Sequence, residues 1–131
     1  MSTCCTTPAP ARVKHAASLA ALYQALADPT RLRMLAILAD AEGGELCVCH
    51  IHGGLGLSQP TASRHLAYLR KAGLVTARRH GIWMHYRLER PADPVLGAVV
   101  DAAIHALGHV DGTARDRVRT ARVADATPPP A

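Results

Sequence analysis

Phenylalanine is absent from this 131-residue chain, and one tryptophan and three tyrosines are its only aromatic side chains besides histidine. A core without large rings has to be assembled from Leu, Ala, Val and Ile, which bury less area per residue than aromatics do. The length fits a single domain, and so thin a core in so short a chain points to stability shared with a second subunit. Long apolar runs are missing too. The longest, Met34 to Ala39, falls far short of the ~20 residues that cross a bilayer. The opening Met-Ser-Thr-Cys-Cys-Thr-Thr-Pro has neither the basic nor the apolar region of a secretory leader, so a cytoplasmic protein is expected. A glycine-rich cofactor loop and a paired carboxylate base are both lacking, which speaks against an enzyme and against an organic cofactor. The four cysteines indicate, in a reducing cytosol, metal or redox chemistry rather than disulfides.

Charge, by contrast, is abundant and unevenly placed. The formal net charge is +5, which suggests an anionic partner. Residues 1–63 balance four basic side chains with four acidic ones, and residues 91–131 carry four and five. Between them lie Arg64, Arg70, Lys71, Arg78, Arg79, Arg87 and Arg90 against Glu89 alone. An excess confined to one stretch is the footprint of a nucleic-acid surface.

Residues 1–14, rich in Thr, Pro and Ala and carrying Cys4 and Cys5, read as a flexible arm. The spacing of Leu19, Leu22, Tyr23 and Leu26 predicts a first helix over about 15–27. Asp28-Pro29 restarts the chain as cap and first helical residue, and a second helix runs to about Asp40. Glu42-Gly43-Gly44 breaks it. A third helix is expected from near Glu45, fading at Gly53-Gly54, where each glycine costs a helix about 1 kcal/mol. After the turn Leu55-Gly56-Leu57-Ser58, a fourth helix spans Gln59 to Ala72 and stops at Gly73. Leu74 to Ala77 reads as a strand, 78–81 as a turn, and 82–88 as a second strand, with Ile82, Met84, Tyr86 and Leu88 on one face. A fifth helix is expected over roughly 94–109. The domain thus covers 15–110, and 111–131, of mixed charge and ending in Thr-Pro-Pro-Pro-Ala, is expected to be a disordered tail.

Helix, glycine turn, capped helix and basic hairpin, in that order, describe a winged helix-turn-helix: mainly α, with about five helices and a small β-hairpin wing. Ala62, Leu66 and Leu69 form the inner face of the fourth helix, leaving Thr61, Arg64, Tyr68 and Lys71 outside with Gln59, Ser63 and His65 beside them. Such a helix reads bases in the major groove with its first two turns. Arg suits the paired acceptors of guanine and Gln can pair with adenine. Lys71, and Arg78 and Arg79 at the hairpin tip, are expected on phosphates.

Asp28-Pro29-Thr30-Arg31-Leu32, Glu45-Leu46-Cys47-Val48-Cys49, Leu57-Ser58-Gln59-Pro60-Thr61-Ala62-Ser63-Arg64-His65-Leu66 and Ala72-Gly73-Leu74-Val75 together resemble the ArsR/SmtB repressors over about residues 17–108. The resemblance implies a homodimer that occupies double-stranded operator DNA when empty and leaves it on binding metal. It also makes the helix after Ser58 the recognition helix and the hairpin the wing.

Within that family, the Cys47-Val48-Cys49 segment is similar to the arsenic, antimony, cadmium and lead sensors, and soft thiolates suit those ions. As(III) or Sb(III) is the expected effector; Cd(II), Pb(II) or Zn(II), or a cysteine redox switch, are the alternatives. Relatives with a self-contained arsenic site place a third cysteine where this chain has His52, and an aspartate where it has His50. Relatives with a cadmium-type site add cysteines from the N-terminus, which would make Cys4 and Cys5 ligands here. Arg12 and Lys14 nearby would favour their thiolates. On a regular helix Cys47 and Cys49 lie about 200° apart, so joint binding is expected to unwind the first turn. The plainer reading makes them small buried residues. Asp101, His105 and His109 recur at four-residue spacing on the fifth helix, where zinc-sensing relatives carry a site, yet they fit a solvated stripe better. Leu96, Val99, Val100, Ile104 and Leu107 flank them as the expected dimer face.

Overall fold

The computed structural model describes residues 16–127. The arm with Cys4 and Cys5, and residues 128–131, lie outside the described residues. Helix α1 (Ala16–Leu26) buries Leu22, Ala25 and Leu26. Helix α2 (Pro29–Ala39) begins at Asp28, whose carboxylate accepts the Arg31 backbone N–H at 3.0 Å, with Pro29 at a position where no amide is needed. Met34 through Leu38 are all buried, because α2 is the central helix and neighbours pack on every side of it. Met34, Leu35 and Leu38 meet Ile51, Leu66, Leu69, Leu74 and Val75 in one core. Each such side chain removed from water is worth ~1.5–3 kcal/mol.

A single turn, Glu42–Gly44, leads into a short strand, β1 (Glu45–Cys47). Here the sequence expectation is corrected. The helix expected from Glu45 begins only at Val48, as α3 (Val48–Leu55), because the three preceding residues pair with another strand. It also continues through Gly53-Gly54 instead of fading there. Helix α4 (Gln59–Lys71) is capped by Ser58, whose hydroxyl accepts the Thr61 N–H at 3.3 Å. Strands β2 (Val75–His80) and β3 (Trp83–Leu88) form the wing, and β1 adds to β3 so that the antiparallel order is β1-β3-β2. His80 faces Trp83 across a two-residue turn, with Gly81 at φ +62°, where a side chain would be strained. Arg78 and Arg79 therefore stand in the strand and not at the tip. Ile82, expected to share a strand face with Met84, Tyr86 and Leu88, stands instead at the tip and is 93% exposed.

Helix α5 (Pro94–Leu107) starts at the Asp93 cap. The largest departure follows it. Residues expected to be disordered form a sixth helix, α6 (Thr113–Ala126), lying across α3 and α2. Three features hold it. Asp116 accepts two hydrogen bonds from Arg33, at 2.8 and 2.9 Å. Thr113 and Thr120 are buried and donate their hydroxyls to carbonyls of the chain. Gly54 of α3 leaves room for a close crossing: a Cβ there would stand 2.1 Å from Thr120 Oγ1 and 2.7 Å from Thr120 Cα. The glycine pair that reads as a helix end is a packing surface. No described helix is long and apolar enough to cross a membrane.

Candidate nucleic-acid interface and thiol site

Helix α4 turns Ala62, Leu66 and Leu69 into the core and leaves Gln59, Arg64, Tyr68, Arg70 and Lys71 exposed, with Thr61 and Ser63 half-buried. Two of the expected DNA-contacting residues, His65 and Tyr68, also make contacts within the subunit. The His65 ring lies 3.5 Å from the Arg31 guanidinium and 3.8 Å from the Asp28 carboxylate. Tyr68 carries that same guanidinium over its ring at 4.1 Å, a cation–π contact. Arg31 also donates to the carbonyls of Ala25 and Gln24 at 2.7 and 2.9 Å, so His65 and Tyr68 fasten α4 to α2. Gln59, Thr61, Ser63 and Arg64 remain as the leading edge.

The wing arginines also divide. Arg78 donates a hydrogen bond to Glu45 Oε1, and Arg87 stands 4.0 Å from the same carboxylate. The Arg78 hydrogen bond holds the Glu45 carboxyl below its ordinary range. Arg78 thereby ties β2 to β1, whereas Arg79 is exposed.

The thiol pair sits where β1 becomes α3. Cys47 has extended backbone (φ −71°, ψ 148°) as the residue before the helix, and Cys49 is in its first turn. The two sulfurs are 2.9 Å apart, and both thiols are free. This corrects the helical-wheel expectation: with Cys47 outside the helix, both thiols reach one point and no turn has to unwind. Cys47 is buried. Burial, then the hydrogen bond with Cys47, pushes the Cys49 thiol up to about 12. His50 and His52, at the positions where relatives carry Asp and Cys, are both occupied. Buried His50 donates Nε2–H to the Thr127 carbonyl at the end of α6, and His52 donates Nδ1–H to Leu57 O at 3.2 Å.

Sequence reasoning missed one neighbour of the thiols. The β1–β3 register sets Cys47 opposite His85. His85 is 5% exposed; burial first, then Arg78, lowers its pKa. Cys47, His50 and His85 line a cavity of about 660 Å³ closed on one side by Ala121 and Ala124 of α6. Only tertiary pairing brings these residues together.

The α5 stripe is divided: Asp101 chelates the Arg90 guanidinium at 2.9–3.0 Å, while the rings of His105 and His109 lie tilted at 59° with centroids 5.2 Å apart. Among the described residues, no three His, Cys, Asp or Glu side chains stand together as a ready-made metal cage.

Comparison with known proteins agrees with this geometry. The sequence pattern of the arsR family of bacterial regulatory proteins matches residues 28–77. The arsenic resistance transcriptional regulator ArsR1 of Pseudomonas putida is 51% identical over 85 residues, 62% of this chain and 65% of that one. The chain thus spans just under two thirds of that relative's length. The arsenical resistance operon repressor of Escherichia coli is 44% identical over 63% of this chain and 68% of its own. Among solved structures, HlyU of Vibrio cholerae superposes with a TM-score of 0.60 at 33% identity, covering 74% of this chain and 98% of that one. The antimony-specific transcriptional repressor AntR gives 0.58 at 26% identity, over 79% and 89%. The chain belongs to the arsR family of bacterial regulatory proteins, and its fold is a winged helix-turn-helix.

Proposed function

We propose that the protein is a cytoplasmic, homodimeric transcriptional repressor that leaves its operator when As(III) or Sb(III) binds Cys47 and Cys49. The observation that carries this reading is the 2.9 Å approach of the two sulfurs at the joint between the wing sheet and the helix-turn-helix. The relatives' names, arsenic resistance regulators and an antimony-specific repressor, support it.

The donor set suits the ion. Two adjacent thiols offer two of the three sulfurs that pyramidal As(III) takes, and Cys4 or Cys5 of the arm, outside the described residues, supplies the third. Cys47 belongs to β1, hydrogen-bonded to the wing, and Cys49 to α3, which leads through the Gly56 turn into α4. One ion held by both thiolates therefore fixes β1 relative to α3, and so couples the wing to the helix that leads into α4. Reversing a 1:99 population requires a preference of about 5.5 kcal/mol for the released state, within the reach of sulfur–metalloid bonds.

The test is release of the reduced full-length protein from a duplex selected for tight binding, followed by fluorescence anisotropy. Cys47→Ser and Cys49→Ser should bind the duplex as the wild type does and ignore arsenite. A double variant that still departs at the wild-type arsenite concentration rules the thiol site out. Release by peroxide and not by arsenite would establish the redox alternative instead.

A further inference from the structure

We propose that the flank of α6 carrying Arg115, Arg119 and Arg122 is a second DNA-binding surface, which holds backbone phosphates of the operator beside the recognition helix. This rests on the repressor reading above and extends it to a helix outside the residues that match the family pattern.

The summed charge of residues 91–131, four basic side chains against five acidic, conceals this surface. Folding separates the charges. Asp93 is spent on capping α5, Asp101 on Arg90 and Asp116 on Arg33. Asp125 lies on the opposite flank of α6, lining the cavity beneath the wing together with Arg117, which stands 3.7 Å from Asp40. Of the five, only Asp111 remains near the three arginines, sharing a groove with Arg115 and Arg119. Arg115, Arg119 and Arg122 are exposed. Among the described residues, none of them is in an ion pair.

Their spacing matches a duplex. On an α-helix, positions 115, 119 and 122 fall within an arc of about 60° and span about 10 Å along the axis. That length equals the axial rise of about three phosphates on one strand of DNA.

Their position joins them to the DNA face already described. Helix α6 runs antiparallel to α3: Arg33 links Asp116 to the Leu55 carbonyl, Thr120 crosses Gly54, and Thr127 meets His50. This crossing carries Arg119 to the turn between α3 and α4. Its Nη1 lies 3.4 Å from where a Cβ on Gly56 would stand, just ahead of the Ser58 cap of α4. The N-terminal end of a recognition helix is the end that reaches base edges, in a groove only about 12 Å wide and walled by phosphates. A guanidinium beside that turn therefore faces the bordering strand.

Fluorescence anisotropy of the reduced full-length protein on selected and random duplexes, between 50 and 200 mM salt, tests this. The triple variant Arg115→Gln, Arg119→Gln, Arg122→Gln should bind both duplexes at least about tenfold more weakly at 50 mM salt, with a shallower salt slope. The ratio between the duplexes should hold, because phosphate contacts carry no sequence information. Arg117→Gln removes the same single charge as Arg119→Gln but from the other flank, and should leave the slope unchanged. Equal losses from those two single variants would assign the effect to net charge and overturn the surface. An unchanged slope in the triple variant overturns it too, while Arg64→Ala still relaxing base preference keeps the repressor reading. If neither Arg64→Ala nor the triple variant alters binding, both readings fall. Should the triple variant not fold, phenylglyoxal labelling of the wild type decides: DNA must protect Arg115, Arg119 and Arg122, and undiminished labelling refutes the contact.

Discussion

Arg64 and Arg79 are both exposed, and the proposed DNA contact gives them different work. Arg64 stands on the leading half of α4, where a guanidinium can pair with guanine, a discrimination worth ~1–3 kcal/mol per base. Arg64→Ala should therefore relax preference at one position of the site, measured on a panel of single-base variants. Arg79→Ala should weaken every sequence alike and reduce the slope of log affinity against log salt by about one. Glu45 shows a residue whose charge serves the fold. The Arg78 hydrogen bond depresses its carboxyl pKa, so the bridge contributes fully above the unfolded value near 4.5 and is lost as pH falls through the lower folded value. The contribution of an exposed pair is small. In a Tm series through and below about pH 4.5, Glu45→Gln should lose less stability than the wild type; identical acid limbs would refute the bridge.

Elements carry the next prediction. Helix α6 rests on α3 because Gly54 presents no side chain where Thr120 crosses. Gly54→Ala puts a methyl into that backbone contact, and overpacking of this kind costs ~1–3 kcal/mol. The urea midpoint should fall accordingly. Gly53→Ala should cost less, since its added Cβ meets the Val123 side chain, nearest at Cγ1 at 3.0 Å, and no backbone. Equal effects of the two would mean that α6 does not sit where it is described. Since α6 ends at the His50 hydrogen bond beside the thiols, loosening it should also shift the arsenite response.

At the scale of the molecule, surface and charge argue for two partners. Of the dimer face expected on α5, Val100 and Leu107 are buried in the subunit's own core and Leu96, Val99 and Ile104 pack against it, which corrects that expectation; Tyr23 of α1 and Val95 of α5 are the large apolar side chains these two helices leave exposed. Sedimentation in reducing buffer should show a dimer at micromolar concentration, dissociated by Val95→Glu; a wild-type monomer there excludes this interface. The concentrated charge of residues 64–90 predicts a steep salt response. Six or more phosphate contacts per dimer lower affinity by roughly 10³–10⁵ between 50 and 200 mM salt, and a flat response would remove the assigned DNA face.

Local chemistry by itself determined most of the scaffold. Asp28-Pro29 and Ser58 start helices because a side-chain oxygen satisfies an amide wherever it stands before an apolar-periodic run. The buried faces of α2 and α4, and the order of helix, turn, helix and hairpin, follow from spacing alone. What spacing leaves open is anything decided by a distant partner. Glu45–Cys47 has helix-compatible residues, yet it becomes a strand because β3 has an unpaired edge to offer. That one choice takes Cys47 out of the helix and brings its sulfur to Cys49. It also sets His85, distant along the chain, across from Cys47. Helix α6 is likewise invisible in its own composition. Its arginines and alanines suit a helix, but only Arg33, Gly54 and the threonine contacts give it a surface to fold against. Propensity and capping act within a few residues; pairing and close packing act between segments, and the site is built from the second kind.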